Sequence, residues 1–119
     1  DLPKVACTLR PRTLSDLYHL SRVAPELLTQ DRLLWVLSAR NPDGGFGFFP
    51  GTTSFLENTY FAVRLWERVR RPFPEPEKTR FFVERCFRKG GFARAPGGIP
   101  FLETTFYGVY LEKHLGGEV

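Results

Sequence analysis

Apolar positions along most of the chain recur at helical spacing. Thr29 can cap a helix whose apolar residues are Leu33, Leu34, Val36 and Leu37. That helix stops at Asn41-Pro42-Asp43-Gly44-Gly45, because a residue before proline is pushed out of the α region. The pattern predicts a first outer helix at 31–40. Downstream, Ser54-x-x-Glu57 reads as a capping box that opens an inner helix. Phe55, Thr59, Ala62, Trp66 and Val69 form one stripe of it, and Leu56, Tyr60 and Val63 the adjacent stripe. A helix apolar on most sides must be packed on most sides, and the charged end, with Arg64, Arg68, Arg70 and Arg71, sits at the negative pole of its dipole. Pro72, Pro74 and Pro76 make a stiff connector. A second outer helix is expected at 76–88, with Phe81, Phe82, Val83, Cys86 and Phe87, and a second inner helix at 101–115, closed by Gly116-Gly117. Upstream, Thr13-x-x-Asp16 opens a short helix containing Leu14, Leu17, Tyr18 and Leu20. The segment around Val5 is too short for a strand and lacks a partner, so the expectation is five helices and an all-α fold.

The two helix pairs repeat one another. Gly44-Gly45-Phe46 with Pro50-Gly51 and Phe55-Leu56-Glu57-Asn58-Thr59-Tyr60-Phe61 recurs as Gly90-Gly91-Phe92 with Pro96-Gly97 and Phe101-Leu102-Glu103-Thr104-Thr105-Phe106-Tyr107, offset by 46 residues. Val63 and Leu65 match Val109 and Leu111 in the same register. Each unit is a helix, a glycine-rich loop and a second helix. The chain divides as one domain, 1–119, with a degenerate unit at 1–29 and repeat units at 30–75 and 76–119.

Composition narrows the setting. The 119 residues are 42% hydrophobic, 15% aromatic and 25% charged, which fits one folded domain and excludes disorder and a collagen-like fibre. No apolar run is long enough to span a bilayer. A net charge of +4 is spread among interspersed acids, so the surface reads as mixed and solvated and a nucleic-acid partner is not expected. Cys7 and Cys86 form neither a disulfide framework nor a zinc-ligand spacing, and the cytoplasm is the expected compartment. With Asp1 first and no methionine, a processed chain or an excised segment of a longer protein is expected.

At Asp43-Gly44-Gly45-Phe46-Gly47, Pro50-Gly51 and Glu57-Asn58-Thr59-Tyr60, and at their second copy, the sequence resembles the prenyltransferase and squalene-cyclase repeat over about residues 30–115. The resemblance implies an α/α toroid of helical hairpins, of which this chain would be an arc, with inner helices lining a cavity. It also implies open repeat ends, covered by another protein chain or by further repeats.

The catalytic sets that the resemblance implies are incomplete. Where the protein prenyltransferases hold zinc with an Asp-x-Cys pair and a histidine, this chain has Phe55 and Glu57 or Phe101 and Glu103, and Asn58 or Thr104. Zinc is therefore expected only if its ligands come from outside the chain, and no other cofactor is evident. The aspartate-rich acid motif of the cyclases and the Cys-Gly-Glu-Gln stretch of the thioester domains are absent as well. Glu57 and Glu103 are the recurring carboxylates and hence the weak catalytic candidates, with structural duty the stronger expectation. Phe46, Tyr60, Trp66, Phe92, Phe106 and Tyr107 could line a groove for an isoprenoid lipid or pack the core. Arg64, Arg68 and Arg94 could hold its diphosphate or serve as a solvated surface. Cys86 reads as a small buried apolar residue. The expected function is a prenyltransferase-like repeat domain that acts as a binding or assembly module. The alternative is a fragment or divergent subunit of a protein prenyltransferase or terpene cyclase acting on an isoprenoid diphosphate, an enzyme only within a larger protein.

Overall fold

Two inner helices, those that begin at Leu14 and Leu56, start where the first amide finds a loop carbonyl outside the helix, and these starts set the architecture. The computed structural model describes residues 11–116. Thr13 accepts from the Asp16 N–H at 3.0 Å while Asp16 takes the N–H groups of Thr13 and Arg12, the reciprocal box expected there. This starts α1, Leu14–Val23, which ends in a 3-10 turn at Pro25–Leu27. Thr29 caps α2, Gln30–Ser38, through the N–H of Arg32. Then follow α3, Leu56–Arg68, α4, Pro76–Arg85, and α5, Leu102–Gly116. Gly117, expected to help close the last helix, and Val5 and Cys7 lie outside the described residues.

In packing, α3 lies between α1 and α5, while α2 seats on α3 and α4 on α5. Two cores share α3. Ala62, Leu65 and Trp66 point to Leu14, Leu17, Leu33 and Val36, whereas Leu56, Tyr60 and Val63 point to Phe82, Val83, Leu111 and Leu115. The fully packed inner helix read from the sequence is therefore α3.

Three corrections apply to the sequence reading. The fold is mostly helical rather than purely so, because β1, Phe87–Arg88, and β2, Gly91–Phe92, pair antiparallel, and isolated bridges join Phe46 to Arg40 and Phe55. This ladder ends the second outer helix at Arg85, short of the expected 88. The Ser54–Glu57 capping box does not form. The cap of α3 is Phe55, without a side-chain bond, and Ser54 instead donates to Asp43 Oδ1 at 2.8 Å and accepts from Asn41 Nδ2 at 2.8 Å.

The units match in bonding detail. The N–H groups of Phe46 and Phe92 each donate to a threonine hydroxyl 13 residues on, Thr59 and Thr105, both at 3.1 Å. The register slips only in the outer layer, where the C-caps Ala39 and Cys86 lie one residue further apart than the glycine pairs. The cause is turn chemistry. Lys89 and Gly90, both at positive φ, close a two-residue hairpin, whereas Asn41-Pro42-Asp43 turns and needs Gly44 at φ 90° to rejoin the ladder. The extra residue of the first loop is absorbed there.

Each loop phenylalanine presses onto an inner helix where the residue is small. Ala62 shares a core with Phe46, and at the equivalent Gly108 a Cβ would stand 2.0 Å from the ring of Phe92. Gly→Ala inside a helix normally gains about 1 kcal/mol. Gly108→Ala is expected to reverse that sign and lose about 1–3 kcal/mol through overpacking, read as a lower urea midpoint. An unchanged or raised midpoint would contradict this packing.

Asn58 is fully buried, and neither end of its amide has a partner. It holds the third helical position of α3, where Asp16 in α1 and Thr104 in α5 accept their own cap N–H. In α3 the cap N–H of Phe55 goes to Phe46 O instead, at 3.0 Å, which orphans Asn58. Asn58→Leu is expected to be neutral or to gain about 1–2 kcal/mol in denaturant unfolding, and Asn58→Asp to destabilise. A loss on the leucine change would contradict the orphaned state.

Candidate functional site

The first residue of an inner helix fixes what the helix presents four and five positions later. Leu14 N–H donates to Phe48 O at 2.9 Å, and Leu56 N–H donates to Arg94 O at 2.7 Å, so α1 and α3 are held at equivalent heights by equivalent loop carbonyls. Leu102 stands at the same helical position in α5. Four residues on lie Tyr18, Tyr60 and Phe106, and five residues on lie His19, Phe61 and Tyr107. These make two aromatic rows across the three helices. Ring centroids are 6.4 Å apart for Tyr18–Tyr60 and 6.0 Å for Tyr60–Phe106, and 5.9 Å for His19–Phe61 and 6.4 Å for Phe61–Tyr107.

The rows, with Leu102 and Glu103, line an open groove of about 650 Å³. The structure divides the aromatic set expected to form such a groove. Tyr60, Phe106 and Tyr107 line it, whereas Phe46, Trp66 and Phe92 are buried core residues. The sequence reading missed Tyr18, His19 and Phe61. Their signal was Leu-x-x-x-Tyr at 14–18 and 56–60, an offset of 42 that falls outside the 46-residue repeat.

The basic candidates are already engaged. Arg64 lies 5.3–5.6 Å from the ring centroids of Tyr110, Tyr60 and Tyr18, donates to the Tyr60 hydroxyl at 2.5 Å and pairs with Glu67 at 3.5 Å. Arg68 lies over Tyr18 at 5.8 Å. Arg94 stacks 4.0 Å above Phe55 and pairs with Glu57 at 2.8 Å. Arg64 and Arg94 are thus ion-paired within the chain rather than turned as a pair toward a phosphate.

Of the carboxylate candidates, Glu57 serves as the partner of Arg94, and Glu103 lies on the exposed rim of the groove. Burial, then the nearby Glu103 and Glu57, push the Tyr107 hydroxyl above its ordinary value. Cys86 lies at the end of α4, outside the groove, and burial pushes its thiol up to about 12, so it is a poor nucleophile.

The described starts of the inner helices do not offer the zinc set that the resemblance implies. Phe55 and Phe101 offer no donor at the aspartate position, and the orphaned amide of Asn58 is sealed in the core. Among the described residues no three His, Cys, Asp or Glu side chains converge as metal ligands, and no helix is long and apolar enough to cross a membrane.

One polar cluster borders the aromatic rows. Glu67 accepts from the Tyr110 hydroxyl, and His114 stacks on the Tyr110 ring at 3.9 Å with Nε2 3.8 Å from Glu67. Comparison with protein-family models and with curated proteins returned no match.

Burial, then the hydrogen bond to Glu67 and its charge, push the Tyr110 hydroxyl well above its ordinary value near 10. Its contribution to stability is therefore complete below about pH 10, the tyrosine value in an unfolded chain, and is lost as pH rises toward the native value. Tyr110→Phe is expected to cost about 1 kcal/mol at pH 8 and to flatten the fall in urea stability above pH 10. A fall as steep as that of the parent chain would contradict the Glu67 bond.

Proposed function

We propose that the chain is a prenyltransferase-like α/α repeat domain that acts as a binding or assembly module and carries no complete catalytic set of its own. One observation carries the reading. Leu56, Tyr60 and Val63 on α3 are 0, 6 and 3% exposed because the hairpin of α4 and α5 covers them, while their counterparts 46 residues on, Leu102, Phe106 and Val109, are 90, 56 and 57% exposed. An apolar stripe that is core in one unit and bare in the next is a surface for binding. The engaged Arg64 and Arg94, the acidic rim and the unreactive Cys86 support a role that needs no chemistry.

The aromatic groove favours the second reading, a divergent subunit of a protein prenyltransferase or terpene cyclase acting on an isoprenoid diphosphate. Its rings could stack on an apolar chain, and its catalytic groups would come from elsewhere.

Metal analysis combined with a pyrophosphate-release assay on farnesyl and geranylgeranyl diphosphate, run on the chain together with whatever polypeptide co-purifies with it, separates the two. The module reading expects substoichiometric zinc and no release. Stoichiometric zinc with release would overturn it. Binding of a fluorescent farnesol analogue, weakened several-fold in Phe106→Ser, is expected if the groove takes a lipid without turnover; equal binding by parent and variant would remove the groove from the account.

A further inference from the structure

We propose that the bare face of α5 seats one further helical hairpin of the same construction, bearing an arginine or lysine three residues beyond its glycine pair. This rests on the module reading and specifies the partner of that surface.

The α3–α5 contact supplies the template, and it has three parts. The first is apolar, because Leu56, Tyr60 and Val63 are covered by Leu111, Leu115 and the rings of Tyr107 and Tyr110. The second is a backbone anchor, since the Leu14 and Leu56 amides each end on the carbonyl of the following loop. Leu102, at the equivalent position, has no counterpart to that bond among the described residues. The third part is ionic. Arg94, three residues past Gly91, lies flat over Phe55 and reaches Glu57.

Phe101 and Glu103 reproduce that receptor 46 residues later, and both are exposed. A ring and a carboxylate spaced as Phe55 and Glu57 are, beside a bare apolar stripe and a helix-start amide without a loop carbonyl among the described residues, ask for one occupant. It brings an apolar inner helix, a loop carbonyl and a planar or compact cation at the loop position of Arg94. A second copy of this chain meets the request poorly. The equivalent position of its first loop is Phe48, and the arginine of its second loop already holds Glu57.

The test offers the face such a hairpin. Residues 74–119 are repeated once after Val119 of the full chain, which continues the 46-residue register and supplies a copy of Arg94. Leu102→Cys in the original unit reports accessibility to a maleimide, with Cys7→Ser and with Cys86→Ser in the added copy, while the original buried Cys86 stays silent. Labelling is expected to be at least about tenfold slower in the extended chain than in the unextended one. Glu103→Arg in the extended chain is expected to restore much of the lost rate, with helix content, read by circular dichroism, retained.

An added unit that is helical yet leaves the labelling rate of the Leu102→Cys thiol unchanged would overturn the proposal. So would an added unit that gains no helix, since the face then fails to organise a hairpin that folds on α3. Protection of the unextended chain that grows with its concentration would assign the face to a second copy and likewise overturn it. Zinc content and pyrophosphate release are independent of these readings, so failure of the module reading is distinguishable from failure of this one.

Discussion

The hydrogen bond from the first amide of an inner helix to the loop carbonyl of the next unit is the constraint on which the rest depends. An α-helix begins with four N–H groups that its own backbone cannot satisfy. Here the first of them is satisfied by a neighbouring hairpin, Leu14 by Phe48 and Leu56 by Arg94. This couples the height of each helix to the shape of the following glycine loop. The threonine bonds from Phe46 and Phe92 tie each loop in turn to its own inner helix. Loop and helix therefore position one another, and the aromatic rows come into register as a consequence.

Much of this was legible in the chain. The helical spacing and the 46-residue repeat predict five helices in the observed order, and Thr13 and Thr29 cap as their positions suggest. The capping box at Ser54 failed for a tertiary reason that local pattern does not carry. Asp43 and Asn41, brought close by the hairpin turn, compete for the serine hydroxyl and win. The short ladder at Phe87 and Phe92 was illegible because two residues give no alternation to read.

The groove was half legible for a similar reason. Periodicity marks Phe46, Phe92, Phe106 and Tyr60 alike as aromatic, but only the packing decides which ring faces solvent. Phe46 and Phe92 turn inward because a small residue waits for each on the inner helix, Ala62 for one and Gly108 for the other. Glu67 and Tyr60 are helical neighbours of Arg64 at i+3 and i−4, but Tyr18 and Tyr110 reach it, and Phe55 and Glu57 reach Arg94, only when the helices stack. What the fold leaves unfilled, the stripe of Leu102, Phe106 and Val109, is visible only by comparing one unit with the other.

Residue-resolved amide hydrogen exchange tests the coupling of helix height to neighbouring loop most directly, because first-turn amides of a helix ordinarily exchange freely with water. The amides of Leu14 and Leu56 are expected to be protected like helix interiors, and that of Leu102 to exchange fast. Equal, fast exchange at Leu56 and Leu102 would contradict the account.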